Sequence, residues 1–147
     1  MKKLSIYLVL GLLAIGCTKI DPTDFISATP EISLVNTAPL QVVAFQDSIV
    51  FEIEYTDGDG DLGTNDDTRR NVFVRDNRVD ITHEFRLQQL APDGAEIPIT
   101  GTFNVILPNT LLTAGSAPET VTFTIWVVDR AGNESNEIES PEITVSE

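Results

Sequence analysis

Apolar and polar residues alternate most clearly over Ser48 to Tyr55 (SIVFEIEY), with Ile49, Phe51, Ile53 and Tyr55 on one face and Glu52 and Glu54 on the other. Successive side chains of a β-strand point to opposite sides, so this run predicts a strand with one face in a core. Val121 to Val128 (VTFTIWVV) repeats the pattern, with Val121, Phe123, Ile125 and Val127 opposite Thr122, Thr124 and Trp126. These two segments are expected to form the centre of the core. Further strand candidates are Glu31 to Val35, Asn71 to Arg75, Val79 to Leu90, Ile97 to Leu107 and Glu142 to Val145. Pro92-Asp93-Gly94 carries turn chemistry, and Asp76-Asn77 suits a hairpin tip.

Thr, Val and Ile are abundant after the first residues, and no long stretch has helical spacing, so the fold class is all-β. The strand candidates, separated by turn signals, predict an Ig-like antiparallel β-sandwich of about seven strands, one domain over residues 31–147. No βαβ alternation, internal repeat or second domain is visible.

The opening of the chain follows a different rule. Lys2 and Lys3 precede an apolar run from Leu4 to Ile15, and Gly16 lies just before Cys17, the only cysteine. That order of charge, apolar run and small residue predicts a helical export signal over residues 1–16. The run falls short of the roughly 20 residues a membrane-spanning helix needs. Leu13-Ala14-Ile15-Gly16-Cys17 resembles the lipobox of bacterial lipoproteins, in which the cysteine sulfur takes a diacylglycerol and becomes the new N-terminus. The Leu usual three positions before the cysteine is replaced here by Ala14. The other reading is an ordinary secretory leader with a cysteine near its cut. A single free thiol is chemically awkward in an oxidising compartment, and lipidation of Cys17 accounts for it. Each buried acyl methylene contributes about 0.8 kcal/mol, so two or three chains anchor a protein almost irreversibly. Residues 17–30 then read as the lipidated cysteine and a flexible tether to a domain attached to the bacterial outer membrane, periplasmic or surface-exposed.

The chain has 9 Lys and Arg against 23 Asp and Glu, a formal charge of −14. Loss of the leader would remove two of those cations and no acid. A field of this sign argues against nucleic acid as a partner and against direct adsorption to anionic lipid. The acidity has two readings, a self-repelling solvated surface or a set of metal ligands.

The second reading has a location. The strand at 48–55 runs into Thr56-Asp57-Gly58-Asp59-Gly60-Asp61-Leu62-Gly63-Thr64-Asn65-Asp66-Asp67. Calcium takes six to eight oxygens, and Asp residues separated by Gly let a short backbone curl until carboxylates and carbonyls converge. Asp57, Asp59 and Asp61 occupy the first three ligand positions of a D-x-D-x-D loop, with Asp66 and Asp67 as further candidates. An EF-hand is rejected, because Leu62 and Thr68 stand where that motif needs Gly and Glu. What remains is a non-EF structural calcium loop of weak extracellular affinity, about 10⁻⁴ to 10⁻³ M or somewhat tighter, or a glycine-rich turn in which Asp serves turn geometry. In an Ig-type sandwich the loop after Val128 lies at the same end, so Asp129, Asn133 or Glu134 could complete the shell. Its alternative is a turn closed by a local Asp or Asn hydrogen bond.

The leader, Tyr55 to Gly63 (YTDGDGDLG) and Val128 to Asn136 (VDRAGNESN) together resemble a group of Bacteroidetes-type surface lipoproteins with an Ig-like domain. The resemblance implies an outer-membrane lipoprotein with that fold and assigns no activity.

Signals for catalysis are weak. His83 is the only histidine and reads as a surface or satisfied strand residue. A lipidated Cys17 leaves no cysteine for a nucleophile or a zinc site, and neither G-x-S-x-G nor H-E-x-x-H is present. Trp126, the sole tryptophan, is either exposed for stacking on a sugar or protein, or packed beneath a covering element. Arg69, Arg70, Arg75, Arg78 and Arg86 concentrate the positive charge and are expected to pair with neighbouring acids or to form a local docking patch. The expectation is a non-catalytic binding or structural module with a protein or glycan partner. Its alternatives are a glycan-binding accessory of a surface nutrient-uptake system and an unrecognised hydrolase.

Overall fold

The computed structural model describes residues 26–115 and 117–147. Cys17, the export signal and most of the tether lie outside the described residues. Ten strands follow in order: β1 (Glu31–Ala38), β2 (Gln41–Val43), β3 (Ile49–Asp57), β4 (Val72–Asp76), β5 (Ile81–Phe85), β6 (Ile99–Leu107), β7 (Glu119–Val121), β8 (Phe123–Val127), β9 (Ile138–Glu139) and β10 (Ile143–Ser146). They pair in the orders β1-β3-β6, β2-β10-β7 and β5-β4-β8-β9, and no helix occurs among the described residues. Only Thr122 separates β7 from β8, so the last two sheets share one run of chain and continue each other. The all-β sandwich expected from the alternation is the fold observed.

Its details correct the sequence reading in four places. Ten strands replace about seven, and the pairing is not wholly antiparallel, because β10 runs parallel to β2. The strand expected over Val121 to Val128 is broken at Thr122, where its partner changes: Val121 pairs with Ile143 of β10, and Phe123 pairs with Asp76 of β4. At that break the Phe123 N–H donates to Ser140 Oγ at 2.9 Å, and Pro141, which lacks an N–H, separates β9 from β10. The strand expected over Val79 to Leu90 is confined to β5. Beyond it, the side chain of Asn71 takes over the ladder, accepting the Leu87 N–H at 2.7 Å and donating to the Leu87 carbonyl at 3.3 Å.

The two strongest alternating segments do form the centre of the core. Ile49, Phe51 and Ile53 of β3 and Phe123, Ile125 and Val127 of β8 have no exposed surface. Phe51 meets Phe123 edge to face, with ring centroids 5.6 Å apart and planes at 66°, the arrangement that aromatic quadrupoles favour. Val72 and Val74 of β4, Val105 and Leu107 of β6, and Ile143 and Val145 of β10 complete the interior.

At the β4–β5 hairpin end the buried charge is compensated from within. Arg78 donates to Asp76 Oδ2 at 2.6 Å, Glu119 Oε2 at 3.0 Å and the Leu111 carbonyl at 3.1 Å, which ties the hairpin to the segment before β7. Glu119 also accepts the Thr113 N–H at 2.8 Å and the Ala114 N–H at 2.6 Å. Those hydrogen bonds from Thr113 and Ala114, with Arg78 beside them, hold its carboxyl below the ordinary value of 4.5. A carboxyl whose folded pKa is lowered stabilises the fold above its unfolded value, and that contribution disappears as pH falls through the folded value. We therefore expect Glu119→Gln to melt below the parent protein at pH 7, with the gap narrowing as pH falls below about 4. A pH series of thermal melts checks both the sign and the window.

Candidate metal centre

Asp57 is the last residue of β3, and the register runs without interruption from Ile49 opposite Leu107 to Asp57 opposite Ile99. Period-two alternation therefore places Asp57 on the same inward face as Phe51, Ile53 and Tyr55, where the other residues are apolar. Its side chain is fully buried. Asp57 Oδ2 accepts the Leu62 N–H at 2.8 Å, and Leu62 is itself fully buried. The chain thus leaves the strand, curls through four residues and returns an apolar plug to the core.

Within that curl Asp57, Asp59 and Asp61 converge, each offering a carboxylate oxygen within 4.8 Å of the other two. Oδ1 of each is buried without a hydrogen-bond partner. Three buried acceptors without donors are costly, since a buried polar atom left unpaired loses its hydration uncompensated. Burial is the main reason the Asp57 carboxyl is pushed up to about 6, with Asp59 and Asp61 adding repulsion against the Leu62 hydrogen bond. Burial also raises Asp61, and the neighbouring charges of Asp129 and Asp59 raise it further. Tyr55 is raised by burial and by Asp57.

A divalent cation would reverse this electrostatic penalty, and the spacing fits one. Calcium binds oxygen at 2.3–2.6 Å, so ligands on opposite sides of it are about 4.6–5.2 Å apart, whereas magnesium at 2.0–2.1 Å would draw them to about 4.2 Å. The three carboxylates, with oxygens no more than 4.8 Å apart, are close enough to share one such ion.

Glycines make the curl possible. A Cβ on Gly58 would collide with the backbone carbonyls of Ile26 and Ser27, the second of which accepts the Gly58 N–H at 2.8 Å. Gly60 has φ of 74°, a conformation side-chain-bearing residues rarely adopt, and a Cβ there would meet the Ile97 carbonyl.

The loop after β8 packs against this one. The Arg130 N–H donates to the Asp61 carbonyl at 3.3 Å, the Ala131 N–H to Asp61 Oδ2 at 2.9 Å, and the Arg130 guanidinium to the Gly63 carbonyl at 3.0 Å. The two loops expected at one end of the sandwich are in contact there. Asp129 and Asn133 pair with each other: Asp129 accepts the Asn133 N–H at 2.8 Å and its Nδ2 at 2.7 Å. Glu134 is exposed.

Asp66 and Asp67 are exposed and stand outside the cluster. Asp66 accepts the Thr68 N–H at 2.9 Å and the Thr68 hydroxyl at 2.7 Å, which holds its carboxyl below the ordinary value. His83 is half-buried in β5. Trp126 is half-buried on the outer side of its sheet, stacked on Phe73 with centroids 5.2 Å apart, and the Arg75 guanidinium carbon lies 5.5 Å from its ring centre. Arg75 and Arg78 pair with acids, Arg75 with Asp80 at 3.8 Å and Glu137 at 3.7 Å.

Sequence reasoning overlooked Leu62, whose signal was a single apolar residue inside an acidic run, and Asn136. The Asn136 side chain accepts the Ile32 N–H and donates to the Ile32 carbonyl, both at 2.8 Å, fastening the second loop to β1. No family model matches the chain, and neither does any curated protein.

Replacing Gly58 should separate close packing from simple turn preference. Gly58→Ala forces its methyl group against two fixed carbonyls, so we expect a loss of about 1–3 kcal/mol in urea unfolding. A loss under 0.5 kcal/mol would mean that the loop does not hold residues 26–27 as described.

Proposed function

We propose that the protein is a lipid-anchored module of the bacterial outer membrane, Ig-like and non-catalytic, which binds or supports a protein or glycan partner and carries one structural calcium ion. The observation behind the metal assignment is the set of three buried, unpartnered Oδ1 atoms on Asp57, Asp59 and Asp61. Two of the ligands lie in a segment without secondary structure of its own, so the ion's role is to hold that segment in one conformation and stiffen this end of the sandwich. Calcium suits the site by its all-oxygen ligand chemistry. Anchoring rests on the leader and on Cys17 as the single cysteine of the chain.

What supports the non-catalytic reading is where the three Asp carboxylates point. They converge on one another and line none of the grooves of about 260, 230 and 250 Å³, of which the second carries Glu31 and Glu54 and the third Glu31. Trp126 gives the glycan-accessory alternative little support, because its ring is already engaged by Phe73 and Arg75.

Thermal melts of the purified protein in calcium or magnesium at about 10–100 mM, 100 times the expected dissociation constant, and in chelator test the ion. Calcium at 100 times its dissociation constant adds about 2.7 kcal/mol, which raises the melting temperature of a domain this size by on the order of 10 °C. Asp59→Asn and Asp61→Asn should each abolish the rise, and coincident melts in all three solutions would defeat the metal reading. Fractionation tests the anchor separately. Cys17→Ser should move the protein from the membrane to the soluble fraction or halt it as an unprocessed precursor, and processed protein that remains membrane-bound would defeat it.

A further inference from the structure

Asp61 belongs to two structures at once. Its Oδ1 is one of the three buried, unpartnered oxygens of the acidic cluster. Its other carboxylate oxygen accepts the Ala131 N–H at 2.9 Å, and its backbone carbonyl accepts the Arg130 N–H at 3.3 Å. The Arg130 side chain reaches the same segment, donating to the Gly63 carbonyl at 3.0 Å and the Gly60 carbonyl at 3.5 Å. Among the described residues, every hydrogen bond made by Arg130 and Ala131 therefore ends on residues 60–63. The far side of the loop stands on a separate foot, the paired hydrogen bonds from Asn136 to Ile32.

We propose that cation occupancy at Asp57, Asp59 and Asp61 sets the conformation of the 129–136 loop, with Asp61 as the shared element. The inference rests on the calcium reading above and adds a regulatory consequence to it. Without a cation, Asp57 and Asp59 repel Asp61, and the charge of the buried Asp129 adds to that repulsion. A side-chain displacement that relieves this repulsion withdraws Oδ2 from Ala131, and one that carries the backbone with it also withdraws the carbonyl from Arg130. A bound cation pins Asp61 through Oδ1 and leaves Oδ2 directed at the loop. Asp129 does not need to touch the ion for this. With both carboxylate oxygens taken by Asn133, it closes the loop locally and is a positioning residue.

Coupling between two sites is reciprocal, so a loop that the ion orders must in turn strengthen ion binding. Asn136 provides the test from the loop side. It is uncharged, it is not among the clustered carboxylates, and its replacement releases only the foot on β1.

Hydrogen–deuterium exchange of the detergent-solubilised full chain, in about 10–100 mM calcium and in chelator, reads the ion-to-loop direction. Calcium should slow exchange at Arg130 and Ala131 at least tenfold, together with residues 58–63. Protection confined to 58–63 would overturn the coupling and leave the calcium reading intact. Absence of protection in both segments, with no calcium uptake by calorimetry, would overturn both. In the reverse direction, Asn136→Ala, confirmed as folded by its circular dichroism, should weaken calcium binding at least threefold. An unchanged dissociation constant would overturn the proposal.

Discussion

The mutual repulsion of three carboxylates, each with one buried oxygen, is the constraint around which this end of the molecule is arranged. Asp57, Asp59 and Asp61 hold oxygens within 4.8 Å of one another, with no donor for any of the three Oδ1 atoms. Removing a carboxylate from water costs several kcal/mol unless opposite charge or hydrogen bonds replace the lost hydration. The neighbouring structure fixes the loop that carries them: Leu62 is buried in the core, Gly58 and Gly60 let backbone carbonyls approach the loop closely, and Arg130 and Ala131 bond to Asp61. A divalent cation at the centre makes this packing intelligible.

The two ends of the sandwich treat buried acids differently. At the hairpin end, Asp76 and Glu119 share Arg78, a cation the chain provides for itself. At the other end, Arg130 is close by, yet its guanidinium donates to the carbonyls of Gly63 and Gly60. Arg130 stabilises the course of the loop and leaves the three Oδ1 atoms without a partner. The contrast separates an acid pair neutralised within the fold from an acid cluster whose three Oδ1 atoms have no partner in the fold.

The core was legible because β3 and β8 alternate strictly and both inward faces are buried. The short strands were not, since three residues in β2 and two in β9 are too few to show a period. Val79 to Leu90 misled for a related reason: apolar residues continue past Phe85, but the partner for Leu87 is the side chain of Asn71 instead of another strand. For the site, the D-x-D-x-D spacing identified the three residues that converge. It could not separate them from Asp66, which the chain turns outward to bond Thr68. The pairing of Asp129 with Asn133 and the grip of Asn136 on Ile32 depend on how the loops meet in space, which spacing alone does not encode.

The most direct test of the central claim is a calcium titration of the purified protein by isothermal calorimetry. The account predicts one ion per chain with a dissociation constant of about 10⁻⁴ to 10⁻³ M or tighter, and no binding to Asp59→Asn. A flat titration of the folded protein through 10⁻² M calcium, on the order of ten times the weak limit of that range, would contradict it.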